Sequence, residues 1–312
     1  MLWARLARAG REHVDAPTLF MAVPTVYSRM LESMDRGEVG EEDLEAAKAG
    51  MRSLRLMVSG SAALPDLVAR RWEDVSGHRL LERYGMTELG MALSNPIEPV
   101  SERHPGHVGQ PLPGVEVRIV DPAGDSPGAG ADAGELRVKG PGVFKGYWGR
   151  PAQTAEEFDE EGWFKTGDVC QYNPDLGSYK ILGRASADII KSGGYKISAL
   201  DVERVILDHR RVAEVAVVGQ PDPVWGERVC ALVRLKTPAG HNGRDGDAVA
   251  GFDLGEMQGW LQGRLPTHEM PTVWHAVKDI PKNAMGKVSK PTLLCDLGLL
   301  AGQVEQHDKG DS

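Results

Sequence analysis

The run Glu82-Arg83-Tyr84-Gly85-Met86-Thr87-Glu88 gathers an aromatic ring, a glycine, a hydroxyl, a guanidinium and two carboxylates. Such a set suits a nucleotide, a metal ion and an acidic substrate. Trp163-Phe164-Lys165-Thr166-Gly167-Asp168 adds a carboxylate in a segment that by itself reads as a turn, although two carboxylate oxygens can accept a cis-diol. Near the end, Gly286-Lys287 offers an ammonium on a flexible stem. It is not a phosphate-cradling P-loop, since Val288 follows the lysine and no glycine opens that motif. It fits a mobile point charge.

These groups must be held by elements. From Met1 to about Pro111, helical patterns alternate with short apolar strands at Thr18 to Val23, Leu54 to Ser59 and Arg79 to Tyr84, which predicts layered α/β structure with a largely parallel sheet. A helix over Asp66 to Val75 precedes the Glu82 run, placing that run where a strand ends and a loop opens. The acidic stretch Glu38 to Lys48 reads as an exposed, solvated helix. From Gly114 to Gly183 strands such as Val115 to Val120, Glu135 to Lys139 and Tyr179 to Leu182 are separated by Gly, Pro and Asp turns. They predict an antiparallel, barrel-like portion. Pro122 to Ala133 reads as a loose hairpin tip.

After Arg184 the pattern becomes a compact α+β unit. It has a glycine loop, a helix from Ala199 to His209, strands at Val212 to Val218 and Val229 to Leu235, a helix from Leu254 to Leu265 and a strand at Thr272 to Val277. Ser198 with Asp201 makes a capping-box-like start for the first helix. Pro238 to Gly251 is a surface loop, and the charged tail is frayed.

With 312 residues the chain is too long for one ordinary domain. Lys+Arg 36 against Asp+Glu 45 gives a net charge of -9, which excludes a polyanion-binding surface and makes nucleic acid an unsuitable partner. Cys170, Cys230 and Cys295 are far apart and odd in number, so they read as reduced thiols outside any disulfide or zinc framework. No apolar run approaches the roughly 20 residues of a membrane span. Met1 to Arg11 carries arginines without acids and has a transit-peptide reading. Its helical spacing and its lead into Pro17 to Thr25 also fit a buried helix-to-strand passage inside a domain, with no clear targeting peptide.

The Tyr84-Gly85-x-Thr87-Glu88 core resembles a signature of the adenylate-forming acyl-CoA synthetases. The resemblance implies that Tyr84 and Gly85 flank adenine, Thr87 approaches the α-phosphate and Glu88 helps hold Mg2+. Further segments follow in the family's order. Ser59-Gly60-Ser61-Ala62-Ala63-Leu64-Pro65 resembles the loop beside the acyl pocket, and Gly134 to Trp148 resembles a strand-turn segment taken as structural. Asp168 matches the ribose acceptor. Gly183 to Ile197 resembles the junction of a large and a small domain. Arg184 there is expected to position ribose and phosphate, and Gly193, Gly194 and Lys196 to receive CoA. Ser186 is expected to be the hinge, although it stands where the family usually has an aspartate or lysine, which puts the polar latch in doubt. Ile280 to Lys290 resembles the loop bearing the adenylation lysine, here Lys287.

Arg83 separates this chain from generic members, which often carry a small or apolar residue there. The block Ser59 to Pro65 with Gly77 to Glu88 looks closely like malonyl-CoA synthetases, in which this arginine grips the free carboxylate of malonate. A guanidinium pairs with a carboxylate in a two-pronged geometry. Arg29 is a candidate second grip, and pairing of Arg83 with Glu82 or another acid is the rival reading. The resemblance therefore implies an α/β chain: residues 1–184 form the C-terminal part of an adenylate-forming large domain, layered α/β plus an antiparallel β portion, and 187–300 a small mobile α+β domain, with a 301–312 tail. It implies ATP, Mg2+ and CoA without a prosthetic group, and malonate as the acid, with methylmalonate, another carboxylic acid or a non-catalytic remnant as alternatives. It suggests mitochondria, otherwise cytoplasm. It spans about Ala22 to Leu297 and corresponds to the family's C-terminal half. The Ser/Thr/Gly-rich phosphate loop has no counterpart, and an apolar sheet edge is expected.

Overall fold

The computed structural model describes residues 2–12, 17–120, 133–236, 252–282 and 288–299. The chain divides into two compact units, Met1–Ile181 and Leu182–Ser312.

In the first unit, short apolar runs make β1 (Leu19–Ala22), β2 (Leu56–Gly60) and β3 (Leu81–Met86), which pair in parallel. β4 (Gly90–Ser94) and β5 (Gln110–Pro111) extend the sheet in antiparallel fashion, giving the order β1-β2-β3-β4-β5. The strand expected to stop at Tyr84 continues to Met86, because Gly85 and Met86 pair with Met91 and Gly90 of the β4 hairpin. The turn therefore begins at Thr87.

Helices α1 (Leu2–Glu12), α2 (Pro24–Asp35), α3 (Glu41–Arg52) and α4 (Asp66–Ser76) pack around one apolar core. It contains Trp3, Leu6, Tyr27, Met30, Met51, Met57, Trp72 and Leu80. Pro24 starts α2, where its missing N–H costs nothing, and Gly77 ends α4 with φ 76. The acidic helix α3 is not simply a solvated rod. Its acids Glu41, Glu42 and Asp43 occupy the first turn, where the helix dipole favours them, while Ala47, Gly50 and Met51 are buried. The backbones of α1 and α3 touch: a Cβ on Gly50 would stand 2.1 Å from the Leu6 carbonyl oxygen, and one on Gly10 2.0 Å from that of Ala46.

The antiparallel portion comprises β6 (Glu116–Val120), β7 (Ala133–Lys139), β8 (Phe164–Asn173) and β9 (Ser178–Arg184) in that order. Its edge strands β6 and β9 do not pair with each other, so the sheet is open and the barrel expectation is corrected. Between β7 and β8 the chain forms the short helix α5 (Pro151–Glu156). The expected hairpin tip at Pro122 to Ala133 lies outside the described residues except for Ala133, which begins β7.

The second unit contains β10 (Ile189–Ser192), β11 (Tyr195–Ser198), α6 (Ala199–Leu207), β12 (Val212–Asp222) and β13 (Gly226–Leu235). It continues with α7 (Leu254–Leu261), β14 (Val273–Ala276) and α8 (Lys290–Asp296). The sheet order is β11-β10-β13-β12, with β14 joining β13 in parallel. The Ser198 hydroxyl accepts from the Asp201 N–H and caps α6. No helix among the described residues is long and apolar enough to cross a membrane.

A largely buried ion cluster ties this unit together. The Lys290 ammonium of α8 lies 2.6 Å from Asp188 and 2.7 Å from Glu203 of α6. Asp188 also accepts from the Arg184 N–H, and Glu203 from the Val217 N–H. Burial alone would depress the lysine, but the two carboxylates outweigh it and hold its pKa above the ordinary lysine range. The expected loop at Pro238 to Gly251 and the tail beyond 300 lie outside the described residues, apart from their flanks.

Candidate active site

The parallel strands set the first group of candidates side by side. Ala22 of β1 pairs with Ser59 of β2, Ser59 with Glu82 of β3, and Gly60 with Arg83. Ser59 is buried, and its hydroxyl oxygen has no hydrogen-bond partner among the described residues. Ser61, next in the loop, holds φ 67, a left-handed conformation that costs a non-glycine residue energy.

Successive strand residues point to opposite faces, so Arg83 falls on the Gly60 side of β3 and Tyr84 on the other. The arginine stem lies against Gly60: a Cβ built there would be 3.4 Å from Arg83 Cγ and 3.7 Å from its Nε, ordinary contact distances. The Arg83 guanidinium forms no ion pair or hydrogen bond among the described residues. Glu82 Oε1 instead accepts from the Gly106 N–H at 2.8 Å. Arg29 is exposed on α2, one turn past Thr25.

On the opposite face, the Tyr84 hydroxyl donates to Asp168 Oδ2 at 2.6 Å. Two residues separated widely in sequence, both singled out for nucleotide contact, are thus joined. Asp168 sits in β8, buried at 6 % exposure, and its N–H donates to the Thr166 hydroxyl. Cys170, two residues on, has its thiol pushed up to about 12 by burial and then by the Asp168 charge.

Thr87 and Glu88 occupy the turn between β3 and β4, Thr87 exposed and Glu88 half-buried. The Glu88 backbone carbonyl accepts from Phe144 N–H at 2.6 Å, and its Oε1 accepts from the Tyr147 hydroxyl at 3.1 Å. Tyr147 belongs to the Gly134 to Trp148 segment, which the motif pattern marked only as structural. Nothing in its local sequence separates it from a turn tyrosine, since its partner is far away along the chain. No group of three or more His, Cys, Asp or Glu placed to hold a metal occurs among the described residues.

In the second unit, Gly193 and Gly194 form the tight turn between β10 and β11, with φ 55 and 87. A Cβ on Gly193 would meet the Trp225 ring at 2.8 Å, and Gly193 N–H donates to the Trp225 carbonyl. Tyr195 and Lys196 are exposed beyond the turn, Tyr195 stacking on His268 at 4.3 Å. Arg184 and Ser186 are exposed in a turn closed by Asp188, whose N–H donates to the Arg184 carbonyl. Gly183 must be glycine there, because a Cβ would stand 2.3 Å from Asp188 Cβ at φ 126. Lys287 lies outside the described residues.

Residues 12–148 match the profile described as AMP-binding enzyme, and residues 201–287 that of the AMP-binding enzyme C-terminal domain. The chain belongs to the AMP-binding enzyme family. Among AMP-binding enzymes it is 45% identical over 305 residues to the mitochondrial malonate–CoA ligase ACSF3 of Xenopus laevis, covering 91% of this chain and 50% of that protein. It is 45% identical over 279 residues to the malonate–CoA ligase of Arabidopsis thaliana, covering 89% and 44%. The crystal structure of ATP-bound MatB from Rhodopseudomonas palustris superposes with a TM-score of 0.77 at 34% identity, covering 95% of this chain and 53% of that one. The chain spans about half the length of these AMP-binding relatives.

Proposed function

We propose that the protein ligates malonate to CoA at the expense of ATP, through a malonyl-adenylate. The observation that carries the choice of acid is Arg83, a half-buried arginine in the middle of β3 that lies against Gly60 at the end of β2, without an ionic partner among the described residues. A fatty acyl tail would leave it without an ionic partner, whereas the distal carboxylate of a short diacid satisfies it bidentately. The 45% identity to two malonate–CoA ligases supports the same substrate. The name of the Xenopus relative supports mitochondrial residence.

In this reading Tyr84 and Gly85 receive adenine, Asp168 accepts the ribose hydroxyls after exchanging its bond with Tyr84, and Arg184 steadies ribose and phosphate. Thr87 donates to the α-phosphate, and Ser59 and Arg29 line the acid's site with Arg83. Lys287 brings an ammonium to the phosphoryl oxygens as the malonate carboxylate attacks the α-phosphate and pyrophosphate leaves. Mg2+ fits Glu88, a half-buried carboxylate with one oxygen held by Tyr147 and the other without a hydrogen bond among the described residues, where phosphates and water would supply the cation's remaining oxygens. When bound, it neutralises charge on those phosphates. In the second half-reaction the CoA thiol attacks the acyl carbonyl and AMP leaves, with Gly193, Gly194 and Lys196 holding CoA and Ser186 acting as pivot. Residues 1–184 then belong to the larger, nucleotide-binding domain and 187–300 to the smaller one.

The test is ATP–pyrophosphate exchange with malonate, methylmalonate, acetate and a long-chain fatty acid. Exchange with malonate well above acetate is expected. Equal rates with both remove the diacid assignment, preferential methylmalonate use moves the substrate to that acid, and no exchange with any of them removes the enzymatic reading.

A further inference from the structure

We infer that Tyr147 is a positioning residue for the Glu88 carboxylate: its hydroxyl fixes Oε1 so that Oε2 is presented to the divalent cation carried on the nucleotide phosphates. The inference rests on the proposed role of Glu88 and deepens it.

Glu88 sits on a three-residue turn between β3 and β4, where a glutamate with three free torsions would otherwise sweep a wide volume. The segment from Gly140 to Tyr147 grips it at two points. Phe144 N–H donates to the Glu88 carbonyl at 2.6 Å, and Tyr147 OH donates to Glu88 Oε1 at 3.1 Å. Backbone and carboxylate are therefore held by the same loop. Oε2 has no hydrogen bond among the described residues, so one oxygen is left for a ligand.

The gripping loop is itself anchored. Tyr147 N–H donates to the Thr154 hydroxyl, which in turn donates to the Arg150 carbonyl, and Arg150 N–H donates back to the Tyr147 carbonyl. Gly146 admits this closure only because it lacks a side chain: a Cβ there would lie 2.7 Å from Thr154 Cγ2 at φ 150. The Tyr147 ring meets Phe144 edge-on at 4.9 Å, and Phe144 packs on Phe158 and Phe164 at 5.9 and 5.5 Å. A ring so held delivers its hydroxyl to one place. This is the arrangement by which outer groups orient a metal-binding carboxylate, and their loss weakens metal affinity by roughly 10- to 100-fold.

The experiment compares the full-length protein with Tyr147→Phe, Glu88→Gln and the double variant. Its readout is the ratio of affinity for Mn·ATP to affinity for ATP in EDTA, measured by calorimetry, alongside the thermal midpoint. Tyr147→Phe keeps the ring and is expected to lower the ratio about tenfold, leaving metal-free ATP binding and the midpoint unchanged. In the Glu88→Gln background the same change is expected to do nothing further. Equal losses in both backgrounds, or a lowered midpoint with an unchanged ratio, overturn the inference. A ratio unaffected by Glu88→Gln overturns the cation assignment of Glu88 itself, a separate failure that the two single variants tell apart.

Discussion

Replacing Arg83 with methionine tests the diacid assignment most directly. The stem of Arg83 lies over Gly60, with the site of an added Cβ 3.4 Å from its Cγ. Methionine reproduces most of that stem and removes only the guanidinium, so the strand pairing of Gly60 with Arg83 is expected to survive. The loss is then the charge-assisted contact to malonate's distal carboxylate. Hydrogen bonds to charged groups contribute about 1.5–3 kcal/mol. The full cost of stranding a buried charge, about 3–5 kcal/mol, does not apply to a half-buried site. At 1.4 kcal/mol per decade the expected fall in kcat/KM for malonate is roughly 10- to 150-fold. Acetate, with no second carboxylate, is expected to change by less than about threefold by the same arithmetic. The assay is initial-rate ATP–pyrophosphate exchange with each acid at saturating ATP, with the KM for ATP determined separately. A parallel fall for acetate and malonate, or an unchanged rate with malonate, refutes the reasoning.

Two further outcomes concern stability and thiol chemistry. Lys290→Met leaves Asp188 and Glu203, whose side chains are only 15% and 13% exposed, without their cation and is expected to cost the second unit up to about 3–5 kcal/mol in urea unfolding; a change under about 1 kcal/mol contradicts the cluster's role. Since the Lys290 pKa is raised by folding, its stabilisation is complete below the ordinary lysine value of 10.5 and is lost only as pH rises through the higher folded value, so the difference between wild type and Lys290→Met should persist through neutral pH and close in strong alkali. Burial pushes the Cys170 and Cys230 thiols up to about 12, whereas Cys295 is exposed, so titration with an aromatic disulfide is expected to show one fast thiol in the folded protein and all three in denaturant. Two or more fast thiols in the folded protein contradict that burial.

Much of the molecule was legible in one dimension because its signals are local. Periodicity and turn chemistry located β1, β2, α4, α6, β12 and β13 to within a few residues, and the Ser198 cap formed as its type and spacing required. The order of motifs from Ser59 to Lys290 fixed the family. Spacing separated Gly286-Lys287 from a P-loop.

What tertiary structure decided are relations between residues that chain order does not encode. β3 runs on to Met86 rather than stopping at Tyr84, because β4 offers Gly85 and Met86 a hairpin partner, and Thr87 and Glu88 stand in the turn. Strand alternation then sends Arg83 and Tyr84 to opposite faces, separating the proposed acid-binding group from the proposed nucleotide-binding one. The acidic charge of α3 concealed the Ala47–Gly50 stripe that packs on α1, and the strands after Gly114 form an open sheet because their edges find no mutual pairing. Tyr84 meets Asp168 and Tyr147 meets Glu88 across long loops of chain, and Lys290 finds Asp188 and Glu203 in the same way. Sequence set which groups were available. Packing of distant segments chose which of them touch, since a hydrogen bond or ion pair depends on separation in space and not along the chain.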